Sequence, residues 1–190
     1  EISIHSGGSH SYLSETIFAT KDDKAQELAR AMGEPWDLTL YSNRPSGSPM
    51  SVMAEHGKPA ITVELGGRSS TAPGAFQKVG EILTEAALNV MKHYKMIDGT
   101  ARYPSKRYKG FQKALLAPKS GIFLPEPSIK FHNMMKKDDL IATIIDYKGN
   151  KLCNLQAPED GMIFGLRAMP NVTTGDWCCF YAIIEGTWED

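Results

Sequence analysis

The chain has 190 residues, 42% of them hydrophobic and 23% charged, which suits one large domain or two small ones and excludes a disordered polypeptide. A formal net charge of −1 and a sequence pI of about 6.6 exclude a global field that would gather nucleic acid or an anionic membrane. No stretch approaches the ~20 apolar residues that span a bilayer, no signal-peptide pattern is read, and Cys153, Cys178 and Cys179 form neither a disulfide framework nor a C-x-x-C metal site, so a reduced, cytoplasmic setting is expected.

Ile2 and Ile4 alternate with polar neighbours up to His5, where Ser6-Gly7-Gly8-Ser9 breaks the pattern, as at a strand running into a loop. TIFAT, residues 16–20, reads as a second short strand. Thr20 with Asp23 three residues on resembles a capping box with Asp in place of Glu, and predicts a helix over 21–32. Ala25, Leu28, Ala29 and Met32 fall on one face of it, and Gly33 supplies the stop. WDLTLYS reads as a strand, SGSPMSVMAEHG as a loop entering a short helix, and AITVELGG as a compact apolar strand ending in glycines. Phe76, Val79, Leu83, Ala87, Val90 and Tyr94 mark a long amphipathic helix. Strand and helix in alternation imply an α/β layer with a largely parallel sheet.

The texture changes after about residue 105. KALLAPKSGIFLP, DLIATIIDYKGNKL, GMIFGL and DWCCFYAII are short apolar or alternating runs separated by Pro, Gly, Asp and Asn, as in a small β-domain. The boundary is expected between Asp98 and Phe111, giving an α/β part over 1–105 and a β-domain over 106–190. The basic run Arg102, Lys106, Arg107, Lys109, Lys113 and Lys119 is read as a solvated connector rather than a polyanion site.

His5 and Glu64 stand out because each lies where a strand gives way to glycines. In open α/β sheets ligands bind outside the carboxyl ends of the strands, so the two side chains are placed to share one crevice. Taken alone they also read as a hydrogen-bonded structural histidine and a loop-facing glutamate. IHSGG followed at this distance by GKPAITVELGG resembles the succinylglutamate desuccinylase/aspartoacylase family of zinc-dependent hydrolases, related to the zinc carboxypeptidases. The resemblance covers nearly the whole chain. It implies part of a zinc-carboxypeptidase-like α/β fold, with a mostly parallel sheet and helices, followed by a small β barrel-sandwich-like domain. It also implies His5 as a zinc ligand, Glu64 as general base, and hydrolysis of the amide of a small N-acyl amino acid.

Two features depart from the family pattern. Ser3 stands where the family's D-L-H has its Asp, and none of His5, His10, His56, His93 and His132 has a Glu three residues later, so the H-x-x-E that supplies two zinc ligands is missing. The chain is therefore expected to be the C-terminal portion of a longer enzyme, inactive alone, whose Zn²⁺ needs ligands from elsewhere. The alternative is a non-catalytic binding module derived from that family. An open sheet edge left by the missing part invites self-association, so a homo-oligomer stands beside the small-molecule substrate among the expected partners, with neither nucleic acid nor membrane.

Arg68 and Arg44 are candidates to clamp a substrate carboxylate, or else surface arginines paired with acids. His10 is placed either at the pocket mouth or on a solvent-facing loop, and Ser46-Gly47-Ser48 reads as a polar turn. QAPEDGMIFGLRAMPNVTTGDW resembles a biotinyl/lipoyl-type pattern, but the hairpin stretch RAMPN has no lysine, which argues against a cofactor carrier. Because the family's β-domain flanks the active site, the resemblance makes Arg167 a substrate contact, with a structural arginine as the other reading. Cys178 and Cys179 lie in an apolar run and no G-x-S-x-G elbow occurs, which argues against a cysteine or serine nucleophile.

Overall fold

A computed structural model describes residues 1–42, 46–68 and 73–189, the side chain of Glu189 excepted. The first half comprises β1 (Ile2–His5), β2 (Ser11–Ala19), α1 (Asp23–Ala31), β3 (Leu38–Tyr41), α2 (Pro49–Glu55), β4 (Ile61–Gly67) and α3 (Ala75–His93). The second comprises β5 (Lys106–Leu116), β6 (Gly121–Pro125), β7 (Met134–Met135), β8 (Leu140–Ile145), β9 (Lys151–Gln156), β10 (Gly161–Arg167), β11 (Asn171–Val172) and β12 (Trp177–Glu189).

The architecture is α/β, built on an eight-stranded sheet in the order β1-β4-β2-β3-β5-β12-β10-β7 and a four-stranded sheet in the order β11-β6-β8-β9. The large sheet is mixed rather than mostly parallel. β1–β4, β2–β3 and β3–β5 are parallel, whereas β2–β4 and the pairs joining β5, β12, β10 and β7 are antiparallel. The connection from β1 to β2, residues 6–10, is too short for the crossover a parallel strand requires. β2 therefore returns in the opposite direction, and β4 slots between the two.

β10 pairs with β2 as well as with β12, so β2, β3, β5, β12 and β10 close into a ring. Leu13, Leu38, Leu40, Met162, Phe164 and Ala182 fill it, so strands from either side of residue 105 share one core. On the outer face of the first strands, Ile17, Ile61, Val63 and Leu65 pack against Leu28, Ala29 and Met32 of the α1 region, Trp36, and Ala86 of α3. The four-stranded sheet buries Phe123, Ile141, Ile144 and Leu155 against Ile163, Cys179 and Tyr181 of the large one.

α1 begins two residues later than its capping pattern suggests. Asp22 is the N-cap: its carboxylate accepts from Ala25 N at 3.0 Å, while Thr20 Oγ1 donates to the same carboxylate. Of the basic run expected to be a solvated connector, Lys106, Arg107, Lys109 and Lys113 lie instead on β5, between β3 and β12, and only Arg102 and Lys119 sit exposed outside it. Its cations stack on rings, Arg107 at 4.8 Å and Lys109 at 4.6 Å from the Trp188 ring, which lets long basic side chains occupy an interior strand.

The loop between β6 and β7 is clasped to the first strands by His132. Its Nδ1 lies 2.7 Å from Asp37 Oδ1 and its Nε2 lies 2.8 Å from Ser14 Oγ, while its backbone N–H donates to Ile163 O at 3.0 Å. Phe131 stacks on Tyr12 beside it, with ring centroids 5.6 Å apart.

Candidate active site

β1 and β4 run in parallel with His5 directly opposite Glu64. Glu64 is not the last residue of its strand, since β4 continues to Gly67, but it is the last one that β1 accompanies. Alternation puts Ser3 and His5 on one face of β1 and Thr62 and Glu64 on the same face of β4, with Thr16 and Phe18 of β2 as their cross-strand neighbours.

The glycines after both strands have a steric reason. Gly7 N donates to Gly66 O at 3.2 Å, Ser11 N to Gly7 O at 3.2 Å, and Arg68 N to Ser11 O at 2.9 Å, so the two loops lie backbone against backbone. A Cβ on Gly67, whose φ is +121°, would sit 2.2 Å from Ser11 O and 2.9 Å from Gly7 Cα. No side chain fits there. The loop after His5 is thereby fixed onto the end of β4, and the position of His5 relative to Glu64 follows from it.

His5 Nδ1 is 3.6 Å from Glu64 Oε1, an ion-pair separation too long for a hydrogen bond. The imidazole is 59% exposed and the glutamate only 16%. Glu64 Oε2 is buried with no hydrogen-bond partner. Burial raises the Glu64 carboxyl above its ordinary pKa, and the nearby His5 charge only partly offsets this. In front of the pair lies a cleft of about 310 Å³, lined by Ser3, Phe18 and Thr62, by Ser48 and Met50 at the start of α2, and by Gln112 of β5. α2 is held over Thr62 by a 3.6 Å contact between Thr62 Oγ1 and Met50 Sδ, and capped by Ser48, whose hydroxyl accepts from Ser51 N.

A second carboxylate lies near Ser3: Ser3 Oγ donates to Glu1, two residues back on the same face of the chain, and the other Glu1 oxygen is buried without a partner. As a metal site the cleft is open-sided. An accessible imidazole beside a buried, partnerless carboxylate oxygen fits one zinc ligand and one base. Among the described residues no group of three or more His, Cys, Asp or Glu side chains gathers around them.

The other candidates lie apart from the cleft. Arg68 is exposed just beyond Gly67, does not line the cleft, and acts electrostatically on the Tyr12 hydroxyl. The Arg167 guanidinium is committed to its own turn, with Nε donating to Met169 O and Asn171 O and Nη2 lying 3.1 Å from Asp176. His10 meets Ser9 Oγ on an exposed loop, and Arg44 lies outside the described residues. Sequence reasoning missed Gln112 and Phe18, which carry no motif and reach the cleft only through strand order. It also missed the Ser14–His132–Asp37 chain. Its order of groups is that of a serine-hydrolase triad, but Ser14 is buried, donates to Phe164 O at 2.9 Å and lines none of the clefts described, so the chain is a structural clasp.

No family model and no curated protein matches the sequence. Solved structures do. A succinylglutamate desuccinylase from Silicibacter sp. TM1040 is 18% identical, with a TM-score of 0.77 over 97% of this chain and 57% of its own. The chain has the succinylglutamate desuccinylase/aspartoacylase fold. The ectoine utilization protein EutE (DoeB) from Ruegeria pomeroyi shares the fold at 21% identity, with a TM-score of 0.76 over 96% of this chain and 59% of its own. So does a succinylglutamate desuccinylase/aspartoacylase from Rhodobacter sphaeroides, 18% identical, with a TM-score of 0.72 over 100% of this chain and 58% of its own. The chain thus spans less than three fifths of the length of each of these neighbours. Among its described residues no helix is long and apolar enough to cross a membrane.

Proposed function

We propose that this chain carries the base and one ligand of a zinc-dependent hydrolase that cleaves the amide bond of small N-acyl amino acids, in a cytoplasmic setting, and that residues outside these 190 complete the metal site. The observation that carries the reading is the register of His5 against Glu64, which sets an accessible imidazole 3.6 Å from a partly buried carboxylate with one oxygen unpartnered. The names of the fold neighbours, desuccinylase and aspartoacylase, supply the substrate class.

His5 would hold the zinc through its neutral imidazole. When bound, the metal supplies Lewis-acid polarisation of the amide carbonyl and a water made acidic enough to attack at neutral pH. Glu64 would be the general base, holding a proton taken from the attacking water and delivering it to the leaving nitrogen. Partial burial suits this role, because a carboxylate held above its ordinary pKa accepts a proton more readily. Ser48, Thr62 and Gln112 offer hydroxyl and amide groups along the cleft for the polar substrate.

The test is Glu64→Gln in the longest natural product that contains the chain. Zinc should remain bound while turnover of N-acyl amino acids falls by ~10²–10⁴-fold, the usual contribution of general-base catalysis. Wild-type turnover in the variant would remove Glu64 from the role. A second reading, a non-catalytic binding module with this fold, draws on Ser3 in place of the aspartate and on the single histidine in the cleft. A tag-free preparation of that product without zinc would favour it.

A further inference from the structure

We infer that Phe18 is the floor of the subsite for the acyl group and sets the length of the aliphatic acyl chain that the cleft accepts. In placing an acyl group in this cleft the inference rests on the functional reading above and deepens it; the floor itself stands on the geometry of β2.

Phe18 belongs to two regions at once. Across one side of β2 it is the cross-strand neighbour of Thr62, part of the wall of the cleft before His5 and Glu64. Across the other side it lies opposite Leu40, which is fully buried inside the ring of strands. The half-buried Phe18 side chain lines the cleft and meets the fully buried Phe164 edge-on, with ring centroids 6.1 Å apart and an interplanar angle of 69°. Phe180 follows, its centroid 6.0 Å from that of Phe164. The row of Thr62, Phe18 and Leu40 continues through Gly110 of β5 on one face of the sheet. The cleft and the filled interior of the ring are therefore two parts of one surface, and the Phe18 side chain separates them.

The lining of the cleft sorts a substrate by polarity. Pro49 and Met50 at the start of α2 join Phe18 as its apolar part, while Thr62 and Gln112 carry a hydroxyl and an amide. Of the two halves of an N-acyl amino acid, the amino-acid half always bears an α-carboxylate, whose charge would lose water against a benzene ring with nothing in exchange. The acyl half can be wholly aliphatic and gains by covering apolar surface. With Leu40 and Phe164 packed behind the ring, a chain that reaches Phe18 goes no deeper unless the ring gives way. A smaller side chain in its place opens room beside Leu40 and Phe164 for added methylenes, and a larger one takes away room from the chain already accepted.

The test compares kcat/KM for N-acetylglutamate and N-hexanoylglutamate in the longest natural product containing the chain, as wild type, Phe18→Leu, Phe18→Ala and Phe18→Trp. Wild type should favour acetyl. The hexanoyl-to-acetyl ratio should rise ~10-fold or more in Phe18→Leu and Phe18→Ala, the worth of a methylene or more in an apolar pocket, and fall in Phe18→Trp. Should Phe18→Ala fail to fold, the other two variants decide. Phe123→Leu, a truncation in the core between the two sheets, should leave the ratio at its wild-type value, as a merely structural role of Phe18 would. Binding of acetate and hexanoate, followed by NMR chemical-shift titration, reads the floor without catalysis: hexanoate should bind ~10-fold or more tightly to Phe18→Leu than to wild type, with acetate unchanged. A ratio or a hexanoate affinity indifferent to the substitutions at Phe18, or wild-type turnover of N-hexanoylglutamate or N-succinylglutamate above that of N-acetylglutamate, would overturn the inference and leave the functional reading standing. Tighter hexanoate binding in Phe18→Leu, with no hydrolysis of any of these amides by wild type, would do the reverse. A protein that neither hydrolyses the amides nor binds either acid would overturn both.

Discussion

Replacing His132 by alanine removes two side-chain hydrogen bonds that join residues 118 and 95 positions away to the loop before β7. A bond to a carboxylate contributes ~1.5–3 kcal/mol and one to a hydroxyl ~0.5–1.5 kcal/mol. The Asp37 side chain is 30% exposed and that of His132 15%, so water recovers part of the loss at Asp37, and Ser14 keeps its bond to Phe164 O. The lower half of the range applies, ~2–3 kcal/mol in total. At ~2–4 °C per kcal/mol for a chain of this size, the melting temperature should fall by ~4–12 °C. His132 also sits at φ +60°, where a non-glycine residue is held at a cost of ~1 kcal/mol. His132→Gly should therefore be the less damaging of the two variants, despite losing the same bonds. Thermal unfolding of wild type, His132→Ala and His132→Gly measures all three quantities. A His132→Ala change of less than ~0.5 kcal/mol, the range of ordinary surface substitutions, would show that the clasp does not hold the loop. A His132→Gly variant less stable than His132→Ala would show that the positive φ carries no cost.

Three further outcomes follow. The Glu64 pKa is raised above 4.5 in the folded chain, so the fold binds that proton more tightly than the unfolded chain does. The stabilisation is complete below the unfolded value and is lost as pH rises through the folded one, so the stability advantage of Glu64→Gln should grow from pH 4 to pH 8; an advantage that shrinks over that range would contradict the burial argument. Gly67→Ala forces a Cβ to 2.2 Å from Ser11 O at an unfavourable φ and should cost about 3–5 kcal/mol, read by urea unfolding, whereas a neutral effect would mean the two glycine loops do not touch. Burial pushes the Cys178 thiol up to about 11 and raises that of Cys179 further still, so a disulfide reagent should modify only the half-buried Cys153 rapidly in the native chain, and fast reaction of two or more thiols would refute this placement.

What could be read in the sequence was local. The alternation ending at His5, the apolar run into Glu64-Leu65-Gly66-Gly67, the buried face of α1, the extent of α3, and the turn at Gly33 all rest on neighbours within a few residues, whereas on α3 the expected apolar residues Phe76, Ala87 and Tyr94 are exposed and Ala86 is the one buried. The juxtaposition of His5 and Glu64 was legible because both strand ends were marked by glycines, and the structure shows why: no side chain fits between the loops. What escaped depends on distant pairing. Nothing near Gly165 announces that β10 will meet β2 and close a ring, nor does the run Lys106–Lys113 show that Arg107 and Lys109 will lie over Trp188, 81 positions from Arg107. The clasp of Ser14, Asp37 and His132 was illegible for the same reason. For Arg167 the sequence left a substrate contact and a structural arginine both open, and only the folded turn reveals that Met169, Asn171 and Asp176 take up its donors.

The central claim is that His5 is a zinc ligand and Glu64 is the base beside it. Zinc content by elemental mass spectrometry, on tag-free protein of the longest natural product containing the chain, tests it most directly when wild type, His5→Ala and Glu64→Gln are compared. One zinc per chain is expected in wild type and in Glu64→Gln, with at least a tenfold loss of affinity in His5→Ala. Wild-type protein without zinc, or zinc retained at full affinity in His5→Ala, would contradict the account.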